Sequence, residues 1–336
     1  MQKYYEVKMD FKSLPKIELH CHLDGSLDLQ TTRILLAERG ESYEPDELAD
    51  LMQVPDSCES LTEYLKRFDL PNHCLQDAEG IEKSSYALAK NAALENVKYL
   101  EVRFAPAFST SKGMSFRDII ESVEKGLSRA RSEFDIETGI ILCMMRGLDE
   151  EVNKSVVKIG REMLGSGVVA CDIAGDEAAY PISMYADLFK YAKEIGLPYT
   201  IHGGETGIIS NITGAIDLGA KRIGHGIAMI KDPDLMKFCG SNKIGTEICP
   251  TSNIQTKAYQ RIEDCPILKF MEHGIPVSLN TDNRTVSNIT CTEEYEKLDT
   301  AFGLNEDIVR RIYEDSVDMA FTSDDVKDKL LKKWTV

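Results

Sequence analysis

The chain has 336 residues, of which 43% are hydrophobic and 28% charged, proportions that fit a globular protein with a substantial core. Its formal net charge of −17 excludes a nucleic-acid grip, because binding a phosphate backbone needs patches of Lys and Arg. Nine cysteines, odd in number and lacking any Cys-x-x-Cys pair, read as reduced thiols and set aside a disulfide-stapled secreted scaffold.

The N-terminal MQKYYEVKMDFKSLPK carries no apolar stretch of the secretory kind, and no later run reaches a membrane span. A cytoplasmic protein without membrane contact is expected. Next comes KIELHCHLDGSL, residues 16 to 27. Ile17, Leu19 and Cys21 alternate with Glu18, His20 and His22, so both imidazoles leave the same face of a strand. Two nitrogen donors on one face, with a turn straight after, make either half of a metal site or a hydrogen-bonded pair at a strand edge. Further apolar or β-branched runs at 98–106, 138–145, 167–175, 197–205, 221–226, 243–250 and 275–283 bring the predicted strands to eight, counting 16–20. Helical spacing of three and four appears between them, as at 116–134 and 181–196. This alternation predicts an α/β fold, a (β/α)₈ TIM barrel, as a single domain over residues 1–336. The first strand is not followed by G-x-G-x-x-G, which speaks against a doubly wound sheet. The connection from about residue 23 to 97 is too long for one βα unit and is predicted as a helical insertion. In it Leu61, Tyr64, Leu65 and Phe68 form one apolar stripe, by default core packing, alternatively a lid over the barrel mouth.

Polar residues collect at the predicted strand ends. His20 and His22 follow the first strand, and Asp172 lies at the fourth. His202 and Glu205 follow the fifth, His225 the sixth, and Asp282 and Asn283 the eighth. Four of the six histidines therefore converge on one mouth. His20, His22, His202 and Asp282, with a position left for water, form the expected ligand set of one catalytic Zn²⁺; iron or another divalent ion could use the same donors. Glu205, in HGGE, is placed at the rim of the same pocket, where two glycines let the backbone pass close to a substrate. His225 reads as a fifth ligand or as the base that takes a proton from water, and Asp282 as both ligand and acceptor. His73 and His273 are read as ordinary, and Trp334 as a docking residue for the last helix.

In this order, PKIELHCHLDGSL, AGDE (174–177), HGGE (202–205), GHG (224–226) and SLNTDN (278–283) resemble the motifs of the adenosine deaminase family of the amidohydrolase superfamily, over about residues 14 to 320. The resemblance implies zinc-dependent hydrolytic deamination of a small purine nucleoside at C6, with release of ammonia. It implies that His20, His22, His202 and Asp282 hold the zinc, that Glu205 protonates N1, and that His225 orients and deprotonates the attacking water. It also implies a backbone donor at Gly175 for N3, contact of Asp24 with a ribose hydroxyl, and an apolar gate made of Leu61, Tyr64, Leu65 and Phe68. A metal-activated water beside a carboxylic acid suits this chemistry, and apolar surroundings favour the protonated acid that Glu205 has to be. One departure stands out: the animal enzymes carry two aspartates at the eighth strand, whereas this chain reads TDN. Asn283 can donate to N7 outright, so activity is expected to survive, as bacterial members with the same pattern suggest.

Rival readings remain close by. Adenine deaminases of the superfamily usually read HLEG where this chain has HLDG, and the shorter Asp24 leaves room for a ribose. Neither a long N-terminal extension nor a phosphate-binding cluster points to AMP. The stretch VVACDIAGDE lacks the bridging Lys of two-metal amidohydrolases, so one metal is expected. A non-catalytic purine-binding or signalling relative is disfavoured by the intact Glu205, His225 and ligand set.

Overall fold

Each run expected as a strand contains one: β1 (Lys16–His22), β2 (Val97–Phe104), β3 (Glu137–Met145), β4 (Val168–Ala174), β5 (Ile201–Gly203), β6 (Arg222–His225), β7 (Gly245–Ile248) and β8 (Val277–Leu279). They are taken from a computed structural model that describes residues 9–55, 58 and 61–334. β1 runs on to His22, two residues further than its apolar run. β5 and β8 shrink to three residues, and soon after them Gly204 (φ +74°) and Asp282 (φ +62°) turn the chain.

All pairings are parallel, in the orders β1-β2-β3-β4 and β5-β6-β7-β8. Backbone bonds join the two sheets at both seams. Cys171 N–H donates to Pro198 O (2.9 Å) and Thr200 N–H to Cys171 O (3.1 Å), linking β4 to β5. His22 N–H donates to Asp282 O (2.7 Å) and Asp282 N–H to His20 O (2.9 Å), linking the end of β8 to β1. The eight strands thus follow one another round a ring, and the second seam runs through the backbone of three candidate metal ligands.

Helices cover the outside, so the strands are buried on both faces and read as near-continuous apolar runs. The helix Phe116–Glu133 shows how the outer layer is specified. Ser115 and Asp118 form a capping box at its start, and Ile119, Ile120, Val123, Leu127 and Ala130 make its buried stripe. Between β1 and β2 lie the helices Leu29–Glu38, Pro45–Met52, Leu61–Leu65, Asp69–Cys74 and Ala78–Leu94. The first of these is capped by Asp28, which accepts from Thr31 N–H. Leu27, Leu35, Leu36, Leu48, Met52 and Cys74 give this segment a small core of its own. At the other end of the chain Trp334 packs against Tyr313, ring centroids 5.3 Å apart, and docks the segment that follows the helix Asp324–Leu331.

Candidate active site

The strand ends bring the predicted metal ligands together. One donor atom from each of His20, His22, His202 and Asp282 lies within 4.8 Å of the others. Asp282 Oδ1 is 3.2 Å from His20 Nε2 and 3.4 Å from His22 Nε2, and the His20 and His202 rings meet edge to face at 4.5 Å. Gly224 makes this crowding feasible, because a Cβ there would stand 3.1 Å from His202 Cα and 3.3 Å from His20 Cε1. Asp282 (φ +62°) and His225 (φ +59°) both hold left-handed backbone, a cost that clusters at functional sites.

Beneath this cluster the barrel interior is charged rather than apolar. Glu247 on β7 accepts from His20 Nδ1 (2.7 Å) and from Arg103 (2.7 Å), and also takes the Nε–H of Arg222. Asp172 on β4 lies 2.7 Å from both His202 Nδ1 and Arg103. Arg103 thereby ties together the two carboxylates that orient two of the imidazoles. Each ring has its Nδ1 occupied by a carboxylate, which leaves Nε2 to face the mouth, the arrangement that metal-ligating histidines need. Burial drives His20 down to about 4 and His22 well below the usual imidazole range, so both rings are neutral. Burial also lowers His202, but Asp172 beside it prevails and raises it. Burial opposes ionisation of Asp282, yet the contacts with His20 and the neighbouring imidazoles prevail and hold it well below the carboxylate range. Ser252 Oγ donates to its other oxygen (2.6 Å).

Neutral His20 and His22 and an ionised Asp282 are in the protonation states that bind a divalent cation. His20 Nε2 is fully buried and has no hydrogen-bond partner, an orphaned donor pair of electrons aimed into the cluster. The donor set therefore fits a metal ion, and its three nitrogens and one oxygen are within the chemistry of zinc.

Above the cluster is a cavity of about 420 Å³. Its walls hold His22, Asp24, Tyr64, Leu65, Phe68, Gly175, His202, Glu205, His225, Asp282 and Asn283, while His20 lies fully buried below. Two slightly larger depressions, of about 490 and 480 Å³, lie on the outer surface and collect no comparable groups. Glu205 Oε2 is 3.7 Å from His225 Nε2. Burial raises Glu205, helped by Asp282, although His225 pulls the other way, which moves it toward the protonated form. Asn253 lies 3.1 Å behind His225 at Nδ1 and fixes that ring's orientation. Burial also lifts Asp24, to about 6.

One expectation needs correction. The stripe Leu61, Tyr64, Leu65 and Phe68 does not lie on one helix: the helix ends at Leu65 and passes into a 3₁₀ turn at Lys66–Phe68, while Tyr64 packs with Val54, Cys58 and Val286 in a small buried cluster against which Phe68 rests. Leu65 is 46% exposed and Phe68 half-buried, because this face looks across the cavity; the side chain of Leu61 lies outside the described residues. Asn283 has one of its two amide N–H groups engaged. Its Nδ2 donates to Tyr64 Oη (2.9 Å), and its Oδ1 is buried where a Cβ on Gly25 would come within 1.8 Å. His73 is exposed and His273 half-buried, bonded to Glu41 and to Lys269 O respectively, away from the cavity.

Residue-by-residue reading gave no role to Arg103, Glu247, Ser252 or Asn253, and none to Asp172 beyond its place at a strand end. A signal existed for three of them. A charge inside a strand buried on both faces has to have a partner, and EVRFAP contains two such charges, VVACDIA and GTEICP one each. Ser252 and Asn253 carry no such mark.

The family model described as adenosine deaminase matches residues 15–335. The chain is 43% identical over 326 residues to an adenosine deaminase of Clostridium perfringens, covering 96% of this chain and 98% of that one. In three dimensions it is similar to Arabidopsis ADAL crystallised with IMP, at TM-score 0.84 and 30% identity, with 95% of this chain and 96% of that one covered. The fold is also that of an adenine deaminase from Arthrobacter aurescens, at TM-score 0.87 and 24% identity, covering 96% and 98%. By sequence and by fold, over nearly its whole length, the chain belongs to the adenosine deaminase family.

Proposed function

We propose that the protein hydrolyses adenosine, and 2′-deoxyadenosine, at C6 to inosine or deoxyinosine and ammonia, using one zinc ion held by His20, His22, His202 and Asp282. One observation carries this reading: Glu205 and His225 face each other at 3.7 Å beside a four-donor cluster in one cavity. When bound, the cation supplies Lewis acidity that makes water nucleophilic near neutral pH. The protein's own groups do the rest. Glu205 delivers a proton to N1, which removes the ring's aromatic resistance and leaves C6 electrophilic. Water adds at C6 while His225 takes its proton; that proton passes to the exocyclic nitrogen, which departs as ammonia while the C6 hydroxyl returns a proton to the Glu205 carboxylate and becomes the carbonyl. Gly175, at φ +101° on the cavity wall, offers a backbone approach to the purine edge. Asp24 sits in reach of a ribose hydroxyl, and Tyr64, Leu65 and Phe68 shelter the base from water.

A nucleoside is favoured over a nucleotide by the charges at the cavity. Asp24, Asp69 and Asp176 line it, and Arg146 is its one Lys or Arg among the described residues. That guanidinium already donates to Tyr180 O (2.6 Å) and His202 O (2.7 Å). A 5′-phosphate would meet carboxylates without a free cation. The buried state of all nine cysteines supports a reducing, cytoplasmic setting, and no helix of the described residues is long and apolar enough to cross a membrane.

The test is ultraviolet turnover of adenosine, deoxyadenosine, adenine and AMP side by side, with a chelator-treated control. Chelator-sensitive loss of adenosine with inert adenine and AMP is expected. Turnover of adenine alone would keep the chemistry and overturn the substrate; preference for AMP would overturn the charge argument.

A further inference from the structure

We propose that Glu177 is a positioning residue for Glu205: its buried carboxylate clamps the peptide groups on both sides of Glu205 and so aims the proton donor. The role rests on the deaminase reading above. Glu177 closes the AGDE motif beyond β4 and is 2% exposed. Its Oε2 accepts from Gly204 N–H (2.8 Å) and its Oε1 from Thr206 N–H (2.7 Å), the residues immediately before and after Glu205. Thr206 Oγ1 adds a third bond, to Oε1 (2.8 Å), and Asn211 Nδ2 a fourth, to Oε2 (2.9 Å).

Secondary structure does not do this work. β5 ends at Gly203 and the next helix, Ile209–Asp217, begins only at Ile209. Between them Gly204 (φ +74°) and Gly207 (φ +88°) bend the chain in ways that leave the direction of Glu205 open. The N–H groups of Gly204 and Thr206 find their acceptor in one carboxylate instead of a ladder or a helix. Asn211 extends the brace into the scaffold, because its Oδ1 also accepts from Ile182 N–H (2.8 Å). A rigid support matters here, since misplacing an acid by about 1 Å costs on the order of 100-fold in rate.

The experiment is Glu177→Gln in the full-length, metal-loaded protein, which keeps the side chain's size while turning an amide NH₂ toward N–H donors. Three quantities are read: hydrogen exchange of the peptide covering 203–208, metal content, and kcat and KM for adenosine. The clamp requires faster exchange at Gly204 and Thr206, kcat lower by about 10- to 100-fold, KM changed less than about threefold, and unchanged metal content. Unchanged exchange overturns it. So does faster exchange with kcat within about twofold of wild type, or a loss confined to KM or to metal content. Should Glu177→Gln not fold, Glu177→Asp decides, since a side chain one methylene shorter cannot hold both peptide groups: faster exchange with lower kcat at constant KM supports the clamp, and unchanged exchange or an unchanged kcat overturns it. Wild-type protein that leaves adenosine intact would sink the deaminase reading by itself, and exchange would then decide the clamp.

Discussion

At the scale of single residues the site separates groups by protonation. His20 and His22 are kept neutral by burial, Asp282 is kept ionised by the imidazoles and Ser252, and Glu205 is pushed toward its protonated form by burial. Two carboxylates in one cavity are thus pushed in opposite directions, Asp282 toward the ionised form and Glu205 toward the protonated one. Glu205→Gln removes the transferable proton and keeps the shape. Its kcat should fall by about 10²–10⁴-fold with metal content intact, measured by steady-state turnover and metal analysis. A variant that kept wild-type turnover would remove Glu205 from the acid's role.

At the scale of elements, the helix Leu61–Leu65 reaches over the mouth and touches the eighth strand's end through one hydroxyl. Tyr64 Oη accepts from Asn283 Nδ2 (2.9 Å) and lies 3.0 Å from Ser287 Oγ. Tyr64→Phe deletes an interaction of about 1 kcal/mol, so KM for adenosine should rise about 3- to 10-fold with kcat nearly unchanged. An equal loss in kcat would instead place Tyr64 in the chemistry. A second contact between elements is titratable. Glu294, on the helix Cys291–Phe302, accepts from Thr251 N–H (3.1 Å) in the first turn of Pro250–Gln255, the helix that carries Ser252 and Asn253. Burial lifts Glu294 to about 8, from an unfolded value of 4.5. Because the folded value is the higher one, its favourable contribution is complete below pH 4.5 and is lost as pH rises to about 8. Glu294→Gln should remove that slope, about 1.4 kcal/mol for each pH unit, so the variant's stability should vary less across the window by a few kcal/mol. Thermal melts between pH 5 and 9 check this, and parallel curves for both proteins would refute it.

At the scale of the molecule, the barrel carries its function on a buried ionic frame. Arg103 and Arg222 are joined through Glu247, with Asp172 and Glu101 at the two ends. Each of these charges is fully or almost fully buried. Ion pairs of this kind are weak evidence for stability, but removing one partner strands the other charges. Arg103→Met should therefore cost about 3–5 kcal/mol and should also lower metal affinity, since Asp172 and Glu247 lose the cation that holds them beside His202 and His20. Chemical denaturation together with a metal titration reads both effects. Full metal affinity in a destabilised variant would confine Arg103 to folding.

The sequence by itself determined the alternation that makes a parallel barrel and the meeting of the four candidate ligands, because a barrel sends every strand end to the same mouth. His20, His22, His202 and Asp282 were legible from their place on those ends, and Glu205 and His225 from their motifs. Tertiary structure alone decided what lies behind them. Arg103, Asp172 and Glu247 come from strands separated by tens of residues, and only the closed ring makes them touch. Glu177 and Glu205 stand 28 positions apart and share no periodicity; hydrogen bonds to the backbone connect them, and backbone donors leave no trace in residue identity. The hold of Tyr64 on Asn283 depends on how a 3₁₀ turn ends a short helix above the mouth, a packing outcome that spacing in the chain does not encode.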